Sequence, residues 1–201
     1  MTKVHSGAGD FPFLSGIILA AGLSRRAIPR NKLLLPARDG DAVVRCVATA
    51  FCEAGLREVV VVTGHESERV EEALAGLPIR FVFATEYRGG MGFSLAAGIR
   101  AAAKECRGLL VSPGDLPKMR SDIVRQIAGE FERQKSMRNV VPTFLGRRGH
   151  PVALVADLRP KLETLVGDRG AKGLLADPAE AERTVFLPVS DEAICADNDG
   201  G

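Results

Sequence analysis

The run Val59-Val60-Val61-Val62, closed by Thr63-Gly64-His65, constrains this chain more than any other feature. Four β-branched residues in succession put apolar side chains on both faces of a strand, so both faces have to be covered. Such a strand belongs in a largely parallel sheet between two layers of helices. The rest of the sequence alternates as that sheet requires. Residues 17–20 predict a first strand. Asp41 predicts the cap of a helix in which Val43, Val44, Val47 and Phe51 recur at helical spacing, with Gly55 as its stop. A polar helix is expected over 66–77, a strand over 79–84, an alanine-rich helix from a Ser94 cap to Cys106, and a buried strand over 109–112. Ser121 predicts the cap of a helix through 134. Strands over 139–144 and 152–155, helices near 158–165 and 171–176, and a last strand over 184–189 complete the pattern. The expected fold is a three-layer α/β/α, Rossmann-like domain with a mostly parallel mixed sheet.

A chain of 201 residues suits one domain, expected over 15–201 behind a flexible leader over 1–14. Lys and Arg number 27 against 25 Asp and Glu, a near balance that gives no field to recruit nucleic acid or a membrane surface. One Tyr and no Trp leave little to stack bases on. Cys46, Cys52, Cys106 and Cys195 form no C-x-x-C pair and have no histidines at zinc spacing, which favours free thiols in a reducing compartment. The apolar stretch from Phe11 follows Asp10 and runs into a cationic loop, so it reads as a core strand rather than a signal peptide. No apolar run reaches the length of a membrane span. The expected compartment is the cytoplasm.

In open α/β sheets, ligands collect beyond the carboxyl ends of the strands. Four chemistry-bearing segments follow strands here: the loop at Gly22, Thr63-Gly64-His65, Gly114-Asp115 and Arg147 to His150. The first, Leu19-Ala20-Ala21-Gly22-Leu23-Ser24-Arg25-Arg26 with Lys32 downstream, joins small residues and a glycine to fixed cations. Small side chains let backbone N–H groups approach phosphate oxygens, and Arg25, Arg26 and Lys32 supply charge. The loop has neither the Gly-Lys-Ser/Thr ending of a P-loop nor the G-x-G-x-x-G of a dinucleotide fold. In Ser112-Pro113-Gly114-Asp115-Leu116-Pro117 a carboxylate stands at a strand tip, bracketed by residues that restrict the turn. That is a suitable hard-oxygen ligand for Mg2+.

The loop at 19–32 resembles the signature of nucleotidyltransferases with the nucleotide-diphospho-sugar transferase fold, and further segments resemble the MobA/MocA-like molybdenum cofactor branch. Gly114-Asp115-Leu116-Pro117 is similar to its metal-binding Gly-Asp-Met-Pro, with Leu116 in the methionine place. Tyr87-Arg88-Gly89-Gly90-Met91-Gly92-Phe93-Ser94-Leu95 resembles its Gly-rich loop facing the base, which implies base-side roles for Gly90 and Ser94. Arg147-Arg148-Gly149-His150-Pro151 and Gly167-Asp168-Arg169-Gly170-Ala171-Lys172 resemble acceptor-side motifs of the molybdopterin cytidylyltransferase. The tail Ala196-Asp197-Asn198-Asp199 resembles an Asp-x-Asp that precedes a closing helix in the family, whereas this sequence stops at Gly201. Ala27-Ile28-Pro29-Arg30-Asn31 also departs from the usual Met-Gly start of the loop.

The resemblance implies a Mg2+-dependent transfer of CMP from CTP to molybdopterin cofactor with release of pyrophosphate. A molybdenum hydroxylase apoenzyme would be a downstream partner. Arg26, Lys32 and Asp115 would be catalytic, and Leu19, Ala20, Ala21, Gly22, Ser24, Arg25, Gly64, Gly90 and Ser94 would bind the nucleotide. Arg148, His150 and Lys172 would hold the acceptor's phosphate, and Asp115 with Asp197 or Asp199 the metal. The competing expectations are the guanylyltransferase of the same pathway, which typically has Leu-Ala-Gly-Gly at 19–22, a sugar-phosphate nucleotidyltransferase, and a non-catalytic protein that delivers the cofactor.

Overall fold

The computed structural model of the protein describes residues 10–23, 31–37, 40–168 and 170–195. Its described strands are β1 (Phe11–Ala20), β2 (Leu56–Thr63), β3 (Arg80–Phe83), β4 (Gly108–Pro113), β5 (Asn139–Phe144), β6 (Arg147–Arg148), β7 (Val152–Val155) and β8 (Thr184–Pro188). They form one sheet in the order β3-β2-β1-β4-β7-β5-β6, with β8 paired to β5. β3, β2, β1 and β4 are parallel neighbours, β7 lies antiparallel between β4 and β5, and β8 runs parallel to β5. The mixed, mostly parallel sheet is the one the valine run requires, and Val60, Val61 and Val62 are fully buried.

Helices α1 (Val43–Glu53), α2 (Ser67–Ala73), α3 (Met91–Ala101) and α4 (Ser121–Arg133) connect these strands, with short α5 (Arg159–Leu162), α6 (Ala171–Leu174) and α7 (Pro178–Glu182) toward the C-terminus. Alternation along β1 assigns the faces. Gly16 lies against Phe51 of α1, and Leu14 meets Gly108 together with Phe131 of α4. One residue along, Ile17 turns to the other face and meets Gly98 of α3. Phe51, Phe131, Leu14 and Ile17 are among the largest fully buried side chains, so the core is split by the sheet into two apolar layers.

Three expected helix caps differ in the structure. α1 starts at Val43 behind Ala42, and Val43 N–H donates to the Leu35 carbonyl at 3.0 Å, while Asp41 instead faces Arg45 at 3.7 Å. α3 starts at Met91 behind Gly90 and ends at Ala101, which leaves Ser94 buried inside its first turn. The reason is the hydrogen bond from Gly92 N–H to the Gly167 carbonyl, 2.7 Å, which supplies the partner a capping side chain would have given. α4 starts at Ser121 behind Arg120, and the Ser121 hydroxyl accepts from the Arg125 guanidinium. Strand β1 also begins at Phe11, inside the span expected as leader, because Phe11 N–H bonds to the Gly55 carbonyl and Leu14 is buried. Residues 1–9 lie outside the described residues.

At the amino edge of the sheet, Glu58 ties three elements together. Its carboxylate accepts from the Ser15 hydroxyl on β1 and the Arg80 guanidinium on β3, both at 2.9 Å, and from the Ala103 backbone N–H after α3. Burial pushes its carboxyl up, but the hydrogen bonds from Arg80, Ala103 and Ser15 outweigh burial and hold it below its ordinary value of 4.5. A depressed folded-state value contributes stability that is full above the unfolded value and lost as pH falls through the folded one. The melting temperature of Glu58→Gln is therefore expected to lie below the parent's at pH 7 and to approach it as pH falls below about 4.5. Melting curves measured from pH 7 to pH 3.5 check this, and parallel curves at all pH values would contradict it.

Candidate active site

Three parallel strands deliver their carboxyl ends side by side. Ala20 at the end of β1 is opposite Thr63 at the end of β2, and Leu19 is opposite Pro113 at the end of β4. The loops beyond them stay together through backbone contacts. His65 N–H donates to the Ala21 carbonyl at 3.4 Å, and Gly114 N–H to the Leu19 carbonyl at 2.9 Å. Ala20 and Ala21 are buried and Gly22 is exposed, so the chain emerges from the sheet at Gly22. Gly64 fits only because it has no side chain: a Cβ there would stand 2.7 Å from the Tyr87 ring and 2.9 Å from the Ala21 methyl. Tyr87, with Arg88 5.4 Å over its ring, thereby covers the end of β2.

The next link is electrostatic. Lys32 Nζ forms an ion pair with Asp115 Oδ2. Lys32 opens a short 3-10 turn, Lys32–Leu34, whose preceding residue Asn31 is buried and accepts from Leu33 N–H at 3.1 Å through Oδ1. Asn31 also bonds to Glu66, which follows β2 in a left-handed conformation at φ 51° and pairs with Arg69. The Arg69 partner is the main cause of a Glu66 carboxyl held below its ordinary value, against a smaller opposing effect of burial. A chain of polar contacts thus runs from α2 through Glu66 and Asn31 to the turn that presents Lys32. Asn31 and Glu66 carry no motif. A polar residue just before an apolar Lys-Leu-Leu-Leu run was the available sign of a cap.

The Gly-rich loop and the 166–168 loop meet directly. A Cβ on Gly92 would stand 2.8 to 2.9 Å from Val166 and Gly167 backbone atoms, and one on Gly90, at φ 122°, would collide with Gly167 and the Asp168 carboxylate. Gly90 is therefore next to the segment expected on the acceptor side. Met91 Sδ lies against Gly170, which leads into α6 and the exposed Lys172. Ser94, expected on the base side, is only 6% exposed within α3.

β7 runs antiparallel to β4 with Val152 opposite Val111, so His150, two residues ahead of Val152, arrives at the same edge as Asp115. Its N–H donates to the Ile194 carbonyl at 2.8 Å. The residues after β8 are pinned there too, through Arg120 with Asp191 at 2.7 Å and Lys118 with Glu192. Arg148 lies over the Phe186 ring at 4.8 Å, on β8. Arg148 and Lys172 thus stand on different supports, one at the β5–β6 hairpin and the other beside α3. Ser24, Arg25, Arg26, Asp197 and Asp199 lie outside the described residues.

For a divalent metal, Asp115 has the right chemistry: a carboxylate at a strand tip, 14% exposed, reachable from the loop at Gly22. Among the described residues no group of three or more His, Cys, Asp or Glu side chains could hold an ion by itself. No helix among the described residues is long and apolar enough to cross a membrane.

Residues 16–184 match the model of the MobA-like NTP transferase domain. The nicotine blue oxidoreductase of Paenarthrobacter nicotinovorans is 34% identical over 175 residues, covering 84% of each chain. The bifunctional protein GlmU of Syntrophomonas wolfei is 35% identical over 122 residues, which are 61% of this chain but only 26% of GlmU. Among solved structures, a nucleotidyl transferase from Methanothermobacter thermautotroptrophicus superposes with a TM-score of 0.74 at 29% identity, over 89% of this chain and 88% of the other. The manganese complex of Rv0371C from Mycobacterium tuberculosis superposes with a TM-score of 0.77 at 23% identity, over 95% and 94%, and shares the fold.

The contact between the two loops makes a direct test. Gly92→Ala has to displace backbone at Val166 and Gly167, whereas Gly173→Ala has open space. Overpacking of this kind costs about 1–3 kcal/mol, so Gly92→Ala is expected to melt several degrees below the parent and Gly173→Ala at or above it. Calorimetry of both variants measures the difference. Equal melting temperatures would mean that the loops do not hold each other.

Proposed function

The chain belongs to the MobA-like NTP transferase family, and from that premise we propose that this nucleotidyltransferase transfers CMP from CTP to the phosphate of molybdopterin cofactor. The observation that carries the reading is the Lys32–Asp115 ion pair between the loop at Gly22 and the end of β4. It supports the reading because it joins, beyond the strand ends, a cation and a carboxylate, the two charges that a triphosphate and its metal call for. In the reaction a phosphate oxygen of the acceptor attacks the α-phosphorus in line. The bond from the α-phosphorus to the bridging oxygen breaks, and pyrophosphate leaves.

This chemistry asks for positioning and charge neutralisation rather than a covalent nucleophile. Backbone N–H groups at 20–22 cradle the triphosphate, and Lys32, with Arg26, meets the charge that grows on the leaving group. Nucleotidyltransferases of this family commonly use divalent metals; here Asp115 would hold Mg2+, with Asp197 or Asp199 as a further ligand. A bound divalent ion would supply charge neutralisation at the phosphate oxygens. Gly90 is assigned to the base side, with Gly167 of the acceptor-side segment directly beside it. Buried Ser94 serves that side through packing. His150, Arg148 and Lys172 receive the acceptor's phosphate, since charge-assisted contacts hold phosphate best.

A second reading rests on one observation: the relative 34% identical along 84% of both chains is named an oxidoreductase. On that reading the same edge holds a dinucleotide redox cofactor, whose pyrophosphate needs the same N–H groups and cations.

Ligand-induced stabilisation separates the readings, because a ligand that binds only the folded protein raises its melting temperature by mass action. CTP with Mg2+ is expected to raise it more than GTP, ATP or NADPH at equal concentration. A larger shift with GTP would move the chain to the guanylyl branch, and a larger shift with NADPH to the redox reading.

Asp115→Asn keeps the size and the turn but loses the charge that holds both Lys32 and the metal. Its pyrophosphate release from CTP and molybdopterin is expected to fall on the order of a hundredfold or more. Turnover close to the parent's would place the metal elsewhere, and no turnover in the parent would favour the delivery protein.

A further inference from the structure

The opposite, amino edge of the sheet carries a second cleft, of about 1120 Å³. Its walls come from the entries to three strands and the end of a fourth: Arg107 before β4, Arg138 before β5, Arg183 before β8, and Val155-Ala156 at the end of β7. Lys135, Ser136 and Met137, in the turn after α4, close one side. Because the loops that carry Lys32, Asp115 and His150 leave from the carboxyl edge, this cleft and the candidate active site lie at opposite ends of the strands.

Four cations line the cleft, Arg107, Lys135, Arg138 and Arg183, against two carboxylates, Asp157 and Glu182, which leaves two positive charges. Only Arg183 is neutralised, by Asp157 at 2.8 Å. Arg107 lies over the Phe13 ring at 4.3 Å, and Arg138 donates to the Glu182 backbone carbonyl at 3.1 Å. Among the described residues neither of them, nor Lys135, has a carboxylate within ion-pair distance. Three cations without an ion-pair partner among the described residues therefore face one concavity, where the Glu182 carboxylate offsets only part of their mutual repulsion. Lys135 and Ser136, at φ 55° and 56°, form the left-handed turn that ends α4, with Ser136 N–H donating to the Phe131 carbonyl at 3.1 Å, and this turn holds Lys135 at the cleft. Met137, 68% exposed, stands beside the charges with Val155 and Ala156 behind them.

We propose that this cleft is a second binding site, for a small phosphorylated molecule with an apolar body. A phosphate monoester carries about two negative charges at neutral pH and so matches the two positive charges left over. Lys135, Arg138 and Arg107 take its phosphate oxygens by charge-assisted hydrogen bonds, and the Ser136 hydroxyl is a fourth donor. The apolar body lies along Met137, Val155 and Ala156. This site stands independently of the nucleotidyl transfer proposed above.

Isothermal titration of the full chain with phenyl phosphate and with inorganic phosphate, at low salt to limit screening, tests the site. Phenyl phosphate is expected to bind at least as tightly as inorganic phosphate. Lys135→Ala and Arg138→Ala, both at exposed positions, are each expected to weaken it about tenfold, whereas Lys32→Met is expected to leave it unchanged. A loss of binding in Lys32→Met with none in the other two would assign the anion to the carboxyl edge and overturn the proposal. So would inorganic phosphate binding more tightly than phenyl phosphate, or no saturable binding of either at millimolar concentration.

Discussion

Strand β1 is hydrogen-bonded on both sides in parallel register, with β2 through Ala20 opposite Thr63 and with β4 through Leu19 opposite Pro113. That double pairing decides where everything else stands. It brings the loops after three strands to one edge, and the bonds from Gly114 N–H to Leu19 and from His65 N–H to Ala21 keep them there. It also divides the core: Leu14 and Gly16 face α4 and α1, while Ile17 faces α3. Glu58 secures the far end of the same strand through Ser15. A rigid central strand with both faces covered is the kind of support on which phosphate-handling groups hold their positions.

The strands were legible because their signals are local. Val59 to Val62 requires burial on both faces wherever it sits, and the ranges 139–144 and 152–155 are as the sequence pattern predicts. Helix starts were less legible. Asp41, Ser94 and Ser121 are good capping residues by type, yet the first turns of α1 and α3 are satisfied by the Leu35 and Gly167 carbonyls. A carbonyl from 75 residues away, as at Gly167, leaves no trace in the helix's own sequence. The same contact explains why Gly90 and Gly92 are glycines: the backbone of the 166–168 loop occupies the space of their side chains.

At the candidate site, residue types with charge were readable one at a time, and their partnerships were not. Lys32 and Asp115 each stood out by chemistry, but the ion pair between them depends on a turn fixed by buried Asn31, which carries no motif. Gly64 stood out as a strand end, whereas the Tyr87 ring that requires it comes from another loop. His150 follows β5 and so stands beyond a carboxyl end, which the sequence pattern already showed, whereas its pairing with the Ile194 carbonyl comes from the residues after β8 and left no sign.

We propose that the Lys32–Asp115 edge carries out nucleotidyl transfer. Incubating the protein with Mg2+, molybdopterin cofactor and CTP labelled at the α-phosphate tests it most directly. Label is expected to move into a pterin product with one pyrophosphate released per transfer, and only when both substrates are present. Unmoved label under those conditions, with NADPH oxidised instead in the presence of a reducible acceptor, would contradict it.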